Sequence, residues 1–220
     1  MSWTFVAEPT IAPTALRFSP ADGVPREYTA VLTGLPKSGT SMVAAVCDAL
    51  GLYLGDRRGR LLEGGAFEAG ELQDPWNLRR CREAIKEANE DWPRWGLKNP
   101  HGHATITELM RLVRAPRIVA VVRDPLAVAE RWRTWKPEDW GDDPFNAITR
   151  VEADQRQLME LVRREACPAL LISYERAKCW PEVLIRSLAA FLDLDPSPHQ
   201  WCEAIARIST RGGYLKANDR

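Results

Sequence analysis

Apolar and polar positions along this chain alternate in blocks that predict strands followed by helices. Short apolar runs with little polar alternation are typical of parallel strands that are covered on both faces. We place four such strands at residues 30–32, 95–98, 117–122 and 169–174.

Between and after these strands, apolar residues recur at helical spacing. The segments with this spacing cover residues 42–50, 71–89, 104–114, 126–135, 145–165, 181–192 and 198–208. Asp124 and Pro125 supply an N-cap and a first-turn proline for the helix that begins at residue 126. Strands that alternate with helices predict an α/β fold of three layers, with a central parallel sheet and helices on both faces.

The length of 220 residues suits one α/β domain and is short for two. Residues 1–26 contain four prolines and little periodicity, so we interpret them as an extended arm on a single domain formed by residues 27–220. No apolar run approaches the roughly 18 residues of a membrane helix. The N-terminus lacks a basic segment followed by an apolar core, so we expect neither membrane insertion nor secretion.

Charge and cysteine content narrow the possible partners. Thirty basic residues balance thirty acidic ones, so no overall field favours nucleic acid or an anionic membrane, and any anion site must be local. The five cysteines are scattered and form no Cys-x-x-Cys pair. We therefore expect a reduced, cytoplasmic chain without a thiolate metal site.

The segment from Gly34 to Ser41 joins the first predicted strand to the first predicted helix and contains Lys37 and Gly39. A strand, a glycine-bounded loop and a helix N-terminus aim several N–H groups at one point, which suits a phosphate or sulfate group. The nucleoside-triphosphate loop requires a lysine directly after its second glycine. Here Thr40 follows Gly39 and the lysine comes earlier, which argues against magnesium-assisted transfer from ATP.

The segment Pro36-Lys-Ser-Gly-Thr40 resembles the 5′-phosphosulfate loop of sulfotransferases that use 3′-phosphoadenylyl sulfate (PAPS). Further segments resemble motifs of the same family in the same order, over about three-quarters of the chain. These are residues 66–68, 95–100, 121–129 and 173–176. The resemblance implies a P-loop-type fold and a PAPS-dependent sulfotransferase that needs no metal.

The resemblance also implies roles for individual residues. Lys37, Ser38, Gly39, Thr40 and Ser41 would hold the 5′-phosphosulfate, with Lys37 stabilising the leaving group. Arg123 would bind the 3′-phosphate, Tyr174 would contact adenine, and Arg211 with Gly212 weakly matches a terminal loop around the 3′-phosphate. Two positions depart from the family, because Arg131 stands where most members have serine and Met42 replaces a tryptophan beside the loop hydroxyls.

The catalytic base is open between Glu68, His101 and His103, and Glu68 is preferred because its segment resembles one that supplies a catalytic glutamate. Lys98 would assist the sulfuryl group or order the base, or serve the structure alone. The acceptor would be a hydroxyl or amine of a small molecule or carbohydrate, contacted by residues 51–66 and 132–145. The alternatives are a P-loop kinase and a non-catalytic protein that binds PAPS or adenosine 3′,5′-bisphosphate.

Overall fold

The computed structural model of the chain describes residues 15–18, 25–54, 78–100, 106–140 and 143–209. The strands in these ranges are β1 (Ala15–Phe18), β2 (Tyr28–Gly34), β3 (Arg94–Asn99), β4 (Arg117–Val122) and β5 (Ala169–Ser173). The helices are α1 (Thr40–Ala49), α2 (Leu78–Asp91), α3 (Ile106–Leu112), α4 (Pro125–Trp135), α5 (Pro137–Trp140), α6 (Pro144–Glu165), α7 (Tyr174–Cys179), α8 (Pro181–Phe191) and α9 (Pro198–Ser209).

The strands form one sheet in the order β1-β5-β4-β2-β3. Strands β3, β2, β4 and β5 run parallel to one another. Strand β1 lies at the edge of the sheet and pairs antiparallel with β5. The predicted α/β fold with a central parallel sheet is confirmed. Strand β1 lies within the residues interpreted as an extended arm and was not predicted, because four residues carry too little pattern to indicate a strand.

Helices cover both faces of the sheet because successive strand residues point to opposite sides. On β2, Ala30 and Leu32 pack in a core cluster with α1, α8 and α9. Val31 faces the other way, into a cluster with α2, α3, α4 and α6. The predicted three layers follow from this alternation. Within the described ranges, no helix is both long enough and apolar enough to cross a bilayer.

The structure confirms the predicted cap of one helix and moves the predicted end of one strand. Asp124 caps α4, since its side chain accepts a hydrogen bond from the Ala127 N–H at 3.0 Å. The prediction that Tyr174 ends a strand is wrong by one residue. Strand β5 stops at Ser173, whose hydroxyl oxygen accepts from the Arg176 N–H and caps α7, so Tyr174 is the first residue of that helix. The polar connection after Lys136 also contains a short helix, α5.

A buried tyrosine packs at the amino end of the sheet. Tyr28 is fully buried, and its hydroxyl donates to the carbonyl oxygen of Leu192. The guanidinium carbon of Arg117 lies 3.7 Å from the centroid of the Tyr28 ring. Arg117 also donates to the carbonyl oxygens of Phe191 and Pro25, at 2.7 Å each. Burial raises the pKa of Tyr28 to about 12, although the charge of Arg117 opposes this shift.

Candidate functional site

The candidate site lies at the carboxyl ends of β2 and β4, which are neighbours in the sheet. Gly34, the last residue of β2, pairs with Val121 of β4. The chain leaves β2 for α1 on one face of the sheet, whereas it leaves β4 for α4 on the other face. Such a point of divergence opens a crevice where ligands of parallel α/β sheets bind.

The loop between β2 and α1 has an unusual backbone at two positions. Lys37 has a φ of 71° and Gly39 a φ of 100°. A left-handed lysine is uncommon and costs on the order of 1–3 kcal/mol, so the surrounding structure must hold it in place. Helix α1 then begins without a side-chain cap. Among its first N–H groups, those of Met42 and Val43 donate to the Gly39 carbonyl oxygen. The N–H groups of Thr40 and Ser41 precede them at the helix start, where an anion can bind.

Both glycines of the loop are required by close packing. A Cβ atom on Gly39 would lie 2.2 Å from Cδ2 of Tyr174. A Cβ atom on Gly34 would lie 2.7 Å from Ser38 Oγ and 2.8 Å from the Val121 carbonyl oxygen. The Ser38 N–H donates to the Leu35 carbonyl oxygen at 3.0 Å and so belongs to the turn.

Lys37 is contacted at both its backbone and its side chain. Its carbonyl oxygen accepts a hydrogen bond from Arg123 Nη1 at 2.8 Å. Its Nζ lies 3.8 Å from the centroid of the Trp135 ring, within the range of a cation–π interaction. The contact with Trp135 was not predicted, since nothing in the sequence relates the end of α4 to this loop. Arg131 is exposed on α4 and lies one helical turn before Trp135, so both side chains share one face of the helix.

Arg123 is held by residues from several elements. Its guanidinium carbon lies 4.6 Å from the centroid of the Tyr174 ring. Its Nε lies 3.8 Å from Glu175 Oε1, and the same carboxylate oxygen accepts from the Asp124 N–H at 3.1 Å. Gln155 of α6 donates to the Arg123 carbonyl oxygen. Glu175 and Gln155 were not predicted as site residues, and Glu175 could have been suspected only as the acidic residue beside Tyr174.

Lys98 is a buried cation directly beside the loop. Its exposed fraction is 2%, and its Nζ donates to the hydroxyl oxygen of Ser41 at 2.9 Å. The pairing of Lys98 with Leu32 places it near the carboxyl end of β3, beside β2. Burying an ammonium group costs free energy unless anions or hydrogen bonds compensate it. Its position next to Ser41 therefore adds positive charge to the inner side of the anion loop.

Several buried polar atoms at this edge have no hydrogen-bond partner among the described residues. They are Thr33 Oγ1, Ser38 Oγ and Arg123 Nε, of which the last faces the Glu175 carboxylate beyond hydrogen-bond distance, at 3.8 Å. Most buried polar atoms in proteins are hydrogen-bonded, so such a group calls for an explanation, for example a ligand or water. Together with Lys37, Lys98 and the first turn of α1, these atoms fit an anionic group.

Helix α1 also carries a cysteine, whose reactivity follows from its burial. Cys47 of α1 is fully buried, and burial together with the neighbouring Asp48 raises the pKa of its thiol to about 12. Such a thiol stays protonated at neutral pH and is a poor nucleophile. In the part of the chain that the structure describes, no three His, Cys, Asp or Glu side chains are arranged to hold a metal ion.

Several predicted site residues lie outside the described residues. The candidate bases Glu68, His101 and His103 are among them. So are Arg211 and Gly212, and most of the segment 51–66 that was predicted to contact the acceptor. The structure brings together the predicted residues Lys37, Ser38, Gly39, Thr40, Ser41, Lys98, Arg123 and Tyr174.

Comparisons with known proteins bear on the fold. No protein-family model matches the chain, and no curated protein matches it significantly. Fourteen chains of solved structures do match. One is the sulfotransferase domain of the olefin synthase from Synechococcus PCC 7002, which is 19% identical with a TM-score of 0.53, over 91% of this chain and 83% of that chain. At this level of identity the similarity shows the fold alone: the chain has a sulfotransferase-like α/β fold.

Proposed function

We propose that this protein transfers a sulfuryl group from PAPS to a hydroxyl or amine of a small-molecule or carbohydrate acceptor. The observation that carries the proposal is the meeting of Lys37, Arg123 and Tyr174 at one edge of the sheet. Arg123 donates to the Lys37 carbonyl oxygen at 2.8 Å. Its guanidinium carbon lies over the Tyr174 ring, 4.6 Å from the ring centroid. The sequence motifs assign these three residues to the two ends of one nucleotide, so their proximity supports a single bisphosphorylated ligand.

In this proposal the two ends of the nucleotide are bound differently. The first turn of α1, the loop hydroxyls and the Lys37 ammonium hold the 5′-phosphosulfate. The planar guanidinium of Arg123 suits a phosphate with two parallel hydrogen bonds, and Tyr174 supplies an aromatic face next to it. Arg131 lies on the face of α4 that carries Trp135, so it is available to the same ligand from the solvent side.

The transfer breaks the bond between sulfur and the bridging 5′-phosphate oxygen and forms a bond from sulfur to the acceptor oxygen or nitrogen. By analogy with phosphoryl transfer, the protein acts by positioning the groups and stabilising the negative charge of the leaving oxygen. Lys37 and Lys98 supply positive charge there, so we propose no metal requirement. The acceptor proton passes to a base, for which Glu68, His101 and His103 are the candidates.

Nucleotide binding tests the proposal before an acceptor is known. Adenosine 3′,5′-bisphosphate should raise the melting temperature of the protein, and Lys37→Ala should weaken its binding in calorimetry. Lys86→Ala is a matched control, because Lys86 is exposed and pairs with Glu90 away from the loop. Stabilisation by ATP with magnesium alone would favour a kinase instead.

Turnover separates an enzyme from a binding protein. With PAPS labelled in the sulfuryl group, we expect transfer to at least one member of a panel of phenols, alcohols, amines and sugars. Tight binding of adenosine 3′,5′-bisphosphate with no transfer to any of them would indicate the non-catalytic alternative.

A further inference from the structure

We infer that Trp135 is a positioning residue for Lys37, and that its indole ring holds the lysine ammonium where it binds the 5′ end of the nucleotide. This inference rests on the proposed function. It starts from the distance of 3.8 Å between Lys37 Nζ and the centroid of the Trp135 ring. Tryptophan has the most favourable π-face for a cation among the aromatic residues.

The lysine needs such support because its side chain is long and flexible. An ammonium on a four-carbon stem loses rotamer freedom when it binds a ligand, and this loss weakens binding. The backbone of Lys37 is already fixed, at a φ of 71° and by the hydrogen bond of its carbonyl oxygen to Arg123. The contact with Trp135 fixes the other end of the residue, so the ammonium is preorganised before the nucleotide arrives.

Contact with the ring does not compete with anion binding. An ammonium group carries three N–H donors, and it is attracted to a π-face by its charge rather than through one particular N–H. The group can therefore rest on the indole and donate to a phosphate or sulfate oxygen in the same arrangement. Trp135 then favours the bound state instead of opposing it.

The position of Trp135 is not that of a core residue. Its exposed fraction is 54%, and it is the last residue of α4. It packs against Trp132, whose ring centroid lies 5.2 Å away at an interplanar angle of 55°. Lys136 Nζ also lies 5.1 Å from the Trp135 ring, but this ammonium pairs with Asp139 at 3.6 Å. Replacing Trp135 should therefore disturb the loop lysine more than the stability of the fold.

Two nucleotides that differ only in the 5′ group test the inference. Adenosine 3′,5′-bisphosphate reaches Lys37, whereas adenosine 3′-phosphate lacks the group that Lys37 binds. For Trp135→Leu we expect the affinity for adenosine 3′,5′-bisphosphate to fall about 2- to 5-fold, as for loss of an exposed cation–π contact. The affinity for adenosine 3′-phosphate should stay unchanged. Trp135→Phe should keep most of the affinity, because it keeps a π-face.

Two further variants complete the measurement by isothermal titration calorimetry. In a Lys37→Ala background, Trp135→Leu should have no additional effect, since the ring then no longer holds the ammonium of the loop. Trp180→Leu is a control for the loss of an exposed indole elsewhere, at 41% exposure, and should leave both affinities unchanged.

The outcomes that overturn the inference differ from those that overturn the proposed function. Equal weakening of both nucleotides by Trp135→Leu would show a merely structural role, and tighter binding of the bisphosphate would show that the ring competes with the ligand. If Trp135→Leu does not fold, the same comparison is made with Trp135→Phe and Trp135→Gln. If the wild-type protein binds neither nucleotide, the proposed function itself is wrong.

Discussion

Arg123 Nη1 donates a hydrogen bond to the carbonyl oxygen of Lys37 over 2.8 Å. The two residues follow different strands, β4 and β2, which are paired neighbours in the sheet. Because Arg123 also stacks on Tyr174 after β5, one guanidinium links the segments that follow three strands. The shape of this loop thus depends on a residue that the proposed function places at the other end of the nucleotide.

This link predicts that Arg123→Lys is a severe substitution although it keeps the charge. Lysine lacks the planar guanidinium that donates two parallel hydrogen bonds to a phosphate. It also cannot maintain the contacts with both Lys37 and Tyr174. We expect the affinity for adenosine 3′,5′-bisphosphate to fall by roughly 10-fold or more, as for loss of a hydrogen bond to a charged group. Titration calorimetry measures this change. Arg186→Lys, at an exposed arginine on α8, should bind like the wild type, and equal affinities for both variants would contradict the assignment.

The packing of Gly39 against Tyr174 predicts a large loss of stability in Gly39→Ala. A left-handed φ costs alanine about 1–2 kcal/mol, and forcing a methyl group into the Tyr174 ring adds about 1–3 kcal/mol. The free energy of unfolding, measured in urea, should fall by the sum of these two contributions.

Gly51→Ala separates the two contributions. Gly51 has a similar φ of 96°, and among the described residues only the end of a flexible side chain, Gln200 Nε2, lies near its missing Cβ, at 3.0 Å. Its cost should be the backbone contribution alone. In a Tyr174→Ala background, the cost of Gly39→Ala should fall to that of Gly51→Ala. A cost unchanged by removing the ring would mean that the clash is relieved in another way.

The hydrogen bond of 2.9 Å between Lys98 and Ser41 predicts coupled effects on anion binding. Lys98→Met keeps the length of the side chain and removes its charge, so the bisphosphate should bind less tightly by about 1.5–3 kcal/mol. Ser41→Ala should have a smaller effect. The double variant should lose less than the sum of the single losses, because both changes break the same contact. Strict additivity in calorimetry would show that the contact does not contribute to binding.

The buried Tyr28 predicts a loss of stability at high pH. Its pKa of about 12 exceeds the ordinary value of 10.0, so the unfolded chain loses this proton first as the pH rises. The contribution of the neutral, buried Tyr28 to the free energy of unfolding is complete below pH 10. It is lost as the pH rises towards the pKa of the folded state. A difference of two pKa units between the folded and unfolded states corresponds to about 2–3 kcal/mol in the free energy of unfolding.

Tyr28→Phe should therefore show a flatter decline of unfolding free energy above pH 10 than the wild type. The thiols of Cys47 and Cys167, whose pKa values are also raised to about 12 by burial, titrate in both proteins, so the comparison isolates the tyrosine. At neutral pH the variant should be less stable by about 1 kcal/mol, for the lost hydrogen bond to Leu192. Parallel pH curves would contradict a buried, neutral Tyr28.

Local patterns in the sequence were sufficient for the four parallel strands of the sheet and for most helices. The apolar and largely β-branched run over residues 118–122 is typical of a strand covered on both faces, and Asp124 with Pro125 can be read as a cap from neighbouring residues alone. Strand β1 and helix α7, which begins at Tyr174, were missed. Their placement depends on pairing with β5 and on the capping of α7 by Ser173.

The sequence by itself determined the fold class and suggested most members of the proposed anion site, because their motifs depend on residue type and short spacing along the chain. Only the tertiary structure decided which side chains meet. Lys37 contacts Trp135 and Arg123, and Lys98 contacts Ser41, across segments distant in the chain. These contacts follow from the parallel register of β2 with β3 and β4. The register is set by the packing of the whole sheet, so a short sequence pattern cannot specify it.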